Sequence, residues 1–142
     1  MNDIVVDASI VVKWVLPELD SKQAARLFDD VVGQGGRLLV LDLGLVEAAN
    51  AVWKKGHRKL VPPDEVRRLV RDLLAIPVQI QPANKLLTTA LEIAVKHDRT
   101  IYDALFVALA RDLRLPGVTA DEPLWQAVHA DFPNVVLLRD WR

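Results

Sequence analysis

The chain has 142 residues, 51% of them hydrophobic, with 18 basic and 19 acidic side chains and a formal net charge of −1. That length suits one domain with a substantial core, and an apolar share above the soluble average suits an α/β protein whose central strands are covered on both faces. The absence of cysteine excludes disulfides and thiolate metal centres, the charge balance excludes a global basic field, and no apolar run reaches the length of a membrane span. No leader pattern opens the chain, so the expected location is the cytoplasm.

Taken in order, "DIVVDA" (Asp3 to Ala8) is a β-branched run that predicts a buried strand. "SIVVKWVLPE" follows as a short helix that stops near Pro17. "DSKQAARLFDDVVGQGG" carries Ala24, Ala25, Leu27, Phe28, Val31 and Val32 at helical spacing and ends in glycines. "RLLVL" (Arg37 to Leu41) predicts a second strand, "LGLVEAANAVWKKG" a helix closed by Gly56, and "PPDEVRRLVRDLLAI" a helix with prolines at its start. "PVQIQ" (Pro77 to Gln81) is a third strand, followed by the helices "ANKLLTTALEIAVKHD" and "TIYDALFVALARDL". "GVTAD" (Gly117 to Asp121) is a fourth strand, "EPLWQAVHAD" a short helix, and "NVVLL" (Asn134 to Leu138) a last strand. Strands separated by helices predict a parallel sheet with helices on both faces. No repeat, linker or low-complexity segment divides the chain, which reads as a single domain over residues 1–142.

In an open parallel sheet, ligands bind beyond the carboxyl ends of the strands. Asp7 ends the first strand and Asp121 the fourth, so neighbouring strands would bring the two acids together. Glu47 lies on a mostly apolar helix, with Asn50 three residues on and on the same face. Asp103 is in the first turn of an apolar helix. Each acid alone has a local structural explanation: Asp7 and Asp121 as helix caps, Asp103 in a Thr100-x-x-Asp103 capping box, Glu47 as a solvated helix residue. Those explanations leave unexplained why all four fall where one crevice can gather them. Clustered carboxylates repel unless a cation neutralises them. Oxygen-only ligands suit Mg²⁺ or Mn²⁺. Such a centre favours phosphodiester hydrolysis without a Ser, Cys or His nucleophile.

Four stretches, "IVVDASIVVKWVLPE", "LGLVEAANAVWK", "TIYDALFVALARDL" and "GVTADEPLWQAV", together resemble the PIN-domain ribonucleases, and among them the VapC-type toxins of toxin–antitoxin pairs. The resemblance spans nearly the whole chain. It implies a three-layer α/β sandwich with a five-stranded parallel sheet of order 3-2-1-4-5 flanked by helices. It implies a Mg²⁺- or Mn²⁺-dependent endoribonuclease. The family's acids fall on Asp7, Glu47, Asp103 and Asp121, with metal ligation carried over most securely to Asp7 and Asp103. Ser9 and Thr119 match small hydroxyl positions, and Asn50 matches a polar position beside the second acid, all three as supporting groups. RNA as substrate, a small antitoxin as partner and a homodimer are implied in the same way.

Other features are weighed beside this reading. His57, His97 and His129 are far apart in sequence and form no metal-ligand pair. "KKGHRK" (Lys54 to Lys59), with Arg67, Arg68 and Arg71, is the densest basic region, and Lys54, Lys55, Arg58 and Lys59 are candidate phosphate contacts. Lys13, close behind Asp7, is a candidate substrate contact. Trp14, Leu16, Leu27, Phe28, Val52 and Trp53 are expected in the core, or, where exposed, in a groove for a partner helix. Glu122 adds a carboxylate of open role. The rivals are an RNA-processing nuclease without a toxin role, a non-nuclease phosphoryl-transfer domain of similar build, and a non-catalytic binding module. A dehalogenase-like phosphatase would want an acid where Ser9 stands, and no P-loop is present.

Overall fold

The computed structural model describes residues 2–141. Five parallel strands form one sheet: β1 (Ile4–Val6), β2 (Leu38–Leu41), β3 (Gln79–Gln81), β4 (Gly117–Thr119) and β5 (Val135–Leu137), in the order β3-β2-β1-β4-β5. This is the order the resemblance implies. The helices are α1 (Ala8–Val11), α2 (Ser21–Gly33), α3 (Asp42–His57), α4 (Pro63–Ala75), α5 (Leu87–His97), α6 (Ile101–Leu113) and α7 (Glu122–Val128). Strand alternation divides the core between the two faces. Ile4, Val6, Leu38, Val40 and Val118 pack with buried residues of α1 to α4, among them Ile10, Leu27, Ala48 and Leu73. Val5, Leu39, Leu41 and Val135 pack with α5, α6 and α7, through residues such as Ala90, Leu105 and Leu124.

Helix α6 is buried along its whole middle, Ala104 through Ala110, which explains a sequence apolar nearly all the way round. It lies hard against β4. A Cβ added to Gly117 would meet Ala110 Cβ at 2.9 Å and Phe106 Cζ at 3.1 Å. The close approach seats the first turn of α6 beside the end of β4. Asp98, in the left-handed conformation (φ 54°), ends α5. Thr100 then caps α6 by accepting from the Asp103 N–H at 3.1 Å.

The outer strands of the order are β3 and β5. β3 is short, with Ile80 55% exposed, as an edge strand tolerates. At the amino end of the sheet, Arg37 clamps Asp3 through its backbone N–H (2.8 Å), Nε (3.0 Å) and Nη2 (2.7 Å). That acid belongs to the strand start and not to the site. All five strands are shorter than expected. β1 ends at Val6 because Asp7 turns the chain into α1, and β4 ends at Thr119 because Asp121 caps α7. Among the described residues no helix is long and apolar enough to cross a membrane.

Candidate active site

The chain leaves β1 for one side of the sheet and later returns to β4 on the other, so the strand order reverses between β1 and β4. Beyond the carboxyl ends of these strands lies a cleft of about 130 Å³. Asp7, Glu47, Asp103 and Asp121 all line it, together with Ser9, Leu43, Gly44, Tyr102 and Phe106. Asp7 caps α1, with Oδ1 accepting from the Ser9 N–H at 3.1 Å. Asp121 caps α7, with Oδ1 accepting from the Leu124 N–H at 3.1 Å. Helix α3 starts directly after β2 and carries Glu47 past the mouth of the cleft, and α6 presents Asp103 from its first turn.

Two hydroxyls grip Asp7. Ser9 Oγ donates to Oδ1 at 2.5 Å, and Thr119 Oγ1 donates to Oδ2 at 2.5 Å. The same hydroxyls accept from the backbone: Ser9 Oγ from the Ala120 N–H at 2.9 Å and Thr119 Oγ1 from the Asp121 N–H at 3.0 Å. The network ties the loop after β1 to the loop after β4 and fixes Asp7 relative to Asp121. Burial pushes the Asp7 carboxyl up to about 6, against the pull of these hydroxyls, and the Asp121 charge adds to the rise. Burial, and then the Asp103 charge, also raises Glu47. The acids therefore repel in two pairs, Asp7 with Asp121 and Glu47 with Asp103.

The donor set is all oxygen and suits a hard divalent cation, and the two repelling pairs are what a cation would relieve. In the arrangement seen, no group of three or more His, Asp or Glu side chains among the described residues is close enough to hold an ion. Asp7 Oδ2 accepts from one hydroxyl and Asp103 is bonded through Oδ2 alone, so each keeps a lone pair that a cation could use.

The sequence expectations divide against this geometry. Ser9 and Thr119 meet at Asp7 as expected. Asn50 is exposed and does not line the cleft. Three residues advance a helix by about 300°, which leaves Asn50 roughly 60° round from Glu47. Lys13 is turned away: its Nζ donates to Leu19 O at 2.8 Å and lies 3.6 Å from Glu18. Thr100, and not the Asp103 carboxylate, caps α6, and that carboxylate pairs with Arg99 instead. Glu122 pairs with Arg139 at 3.2 Å. Arg67 and Arg68 are matched by Asp64, Glu65 and Asp72 on their own helix. Lys54, Lys55, Arg58 and Lys59 make no ion pair among the described residues and stand at the end of α3. Leu16, Leu27 and Val52 are buried in the core, whereas half-buried Trp14 packs edge-on against Phe28 and the two line a surface cleft with Ala25, Ile76 and Pro77. Trp53 is exposed, stacked on His57. His97 bonds Ala127 O and His129 stacks on Trp125, and no histidine reaches the cleft. The sequence reading missed Arg99, which stands between α5 and α6 and so outside the helical spacing that marks such pairs.

The model of the family described as "PIN domain" matches residues 4–128. Ribonuclease VapC3 from Pyrobaculum aerophilum is 35% identical over 123 residues, which cover 85% of this chain and 91% of that protein. The chain belongs to the PIN-domain family. Two solved structures share its fold at lower identity. Mycobacterium tuberculosis VapC20, described as a sarcin-ricin loop cleaving toxin, superposes with a TM-score of 0.67 at 19% identity, covering 94% of this chain and 98% of that one. A toxin–antitoxin complex from Klebsiella pneumoniae superposes with a TM-score of 0.67 at 16% identity, covering 96% and 98%.

Proposed function

We propose that this protein is a divalent-metal-dependent endoribonuclease that serves as the toxin of a toxin–antitoxin pair. The observation that carries the reading is the convergence of Asp7, Glu47, Asp103 and Asp121 on one cleft at the switch point of the sheet. The ribonuclease name of the 35% identical relative supports the reaction. The toxin names of the fold neighbours support the role. Asp7 and Asp103 would hold Mg²⁺ or Mn²⁺, with Glu47 and Asp121 completing the pocket. The ion, when bound, supplies an activated water and steadies the charge of the phosphoryl group. The protein's own part is positional and electrostatic. Ser9 and Thr119 hold the Asp7 oxygens in place. Burial, and then the Asp103 charge, raises Glu47, so it gives up its proton less readily than a free glutamate.

The test is cleavage of single-stranded RNA in Mg²⁺ or Mn²⁺, expected to stop in EDTA and to leave 5′-phosphate and 3′-hydroxyl ends. Full activity in EDTA, or 2′,3′-cyclic phosphate ends, overturns the metal-dependent reading. Expression alone should arrest growth, and co-expression of a small antitoxin from the neighbouring gene should relieve the arrest. RNA cleavage without growth arrest would leave an RNA-processing nuclease. A homodimer, implied by the resemblance, is checked by sedimentation.

A further inference from the structure

Asp103 does not stand bare in the cleft. Arg99 donates to its Oδ2 from Nη2 at 3.1 Å and from Nε at 3.4 Å. The two side chains are 26% and 25% exposed, so the pair lies at the rim. The root of Arg99 is fixed: its N–H donates to Ala94 O at 3.1 Å, between the left-handed Asp98 and the cap Thr100. Its tip is held by this one carboxylate.

Helix chemistry explains the contact poorly. A cation ahead of α6 opposes the dipole of that helix. Arg before Asp at four residues is the weaker order of such a pair. The carboxyl end of α5 accepts a cation, but Lys96 and His97 already stand there. No lysine or arginine lines the cleft, and among the described residues Arg99 is the basic side chain that touches one of its four acids.

We propose that Arg99 is a phosphate-binding residue of the nuclease, held on Asp103 until a divalent cation takes that carboxylate. This rests on the nuclease reading above. A partly exposed ion pair is weak enough for a doubly charged ion to displace. The released guanidinium stays at the rim, anchored by its backbone, and its planar fork matches two phosphate oxygens. Arg99 thus lowers the affinity of the free enzyme for metal and raises the affinity of the metal-loaded enzyme for RNA.

These opposite signs make the test. Mn²⁺ binding to RNA-free protein is measured by calorimetry for wild type, Arg99→Gln and Arg99→Lys. Binding of a phosphorothioate-linked single-stranded RNA in Mn²⁺ is measured by anisotropy across a salt series. Arg99→Gln should bind Mn²⁺ roughly three- to five-fold tighter, the competitor being gone. It should bind the RNA roughly ten-fold more weakly. Its log–log salt slope should be shallower by about 0.7, the value for one phosphate of a single strand. Arg99→Lys should keep most of the slope and lose part of the affinity, having the charge without the fork. Wild type that takes up Mn²⁺ while Arg99→Gln binds it equally overturns the Arg99 proposal alone, and so does unchanged RNA affinity with an unchanged slope. Wild type that takes up no Mn²⁺ overturns the metal reading and this proposal with it. A lower melting temperature in Arg99→Gln with both affinities unmoved returns Arg99 to a structural role.

Discussion

Replacing Asp7 with asparagine should stabilise the metal-free protein while abolishing cleavage. The Asp7 carboxyl is pushed from its ordinary 3.8 up to about 6. Between these two values the native state binds more protons than the unfolded chain. Stability therefore falls as pH rises from about 4 to about 6 and is level above that window. Roughly two pH units correspond to about 3 kcal/mol of destabilisation by the ionised acid at pH 8. Asparagine carries no charge, so it escapes that cost. Its Oδ1 can still accept from the Ser9 N–H and Oγ, as Asp7 Oδ1 does. Its amide would replace the oxygen that accepts from Thr119 Oγ1. Thr119 must then accept instead and turn its proton toward Ser9 Oγ, 3.4 Å away. That rearrangement and the loss of charge-assisted bonds cost about 1 kcal/mol or somewhat more. The net gain is about 1–2 kcal/mol, or about 3–8 °C in Tm for a domain of this size.

Urea unfolding in EDTA at a series of pH values measures this directly. The advantage of Asp7→Asn should be largest at pH 7–8 and should vanish toward pH 4, where wild-type Asp7 is itself neutral. A variant less stable than wild type at pH 8, by a margin that does not change with pH, refutes the reasoning and makes Asp7 a helix cap first. Cleavage at the wild-type rate would remove Asp7 from the site altogether.

Thr119→Val removes a hydroxyl that favours the ionised Asp7, so Asp7 should rise further and the acid limb of the cleavage–pH profile should move to higher pH; a limb that stays in place denies that Asp7 must be ionised. Neutralising Lys54, Lys55, Arg58 and Lys59 should weaken RNA binding and flatten its salt dependence by about 0.7 for each phosphate no longer neutralised, whereas an unmoved slope returns them to ordinary surface. Added Mg²⁺ should raise the melting temperature of wild type more than that of Asp7→Asn or Asp103→Asn, because an ion that binds only the folded state stabilises it; equal shifts in all three would place the ion elsewhere.

The central strands and α6 were legible because uniformly apolar runs need cover on every side. "LLVL" alternates between two faces of the sheet, and α6 is buried all round, as its uniform apolar run requires. The four acids were legible because strand ends and helix starts are positions with known directions. What failed were inferences from distance along the chain. Lys13 is six residues from Asp7, but α1 and the 3-10 turn Val12–Trp14 swing it to Leu19 and Glu18. Asn50 shares a helix with Glu47, but a face about 60° round looks past the cleft. Arg67 and Arg68 looked like free charge until the acids three and four residues away on α4 were counted. Arg99 takes only Oδ2 of Asp103, and no hydrogen bond reaches Oδ1 among the described residues. Half of the expected capping box forms, Thr100 accepting from the Asp103 N–H, while the Asp103 carboxylate turns to the guanidinium and not to the backbone.

The local and the functional explanations of the acids describe one arrangement. Helix-capping positions directly after β1 and β4 point side chains toward the carboxyl edge of the sheet, where a cleft must open at the switch point. A cap needs only one carboxylate oxygen. Asp121 gives Oδ1 to Leu124 and makes no other hydrogen bond through its side chain among the described residues, and Glu47 makes none at all. Asp7 serves its cap and two hydroxyls at once, and its raised pKa shows that these bonds do not fully offset burial beside Asp121. A cap contributes on the order of 1 kcal/mol, less than the roughly 3 kcal/mol that the buried charge costs above pH 6. Capping alone therefore does not account for an ionised acid at position 7, where serine or asparagine would cap as well without the charge. A divalent cation, as proposed above, would account for it, because it would offset the repulsion that Asp121 adds to the cost of burial.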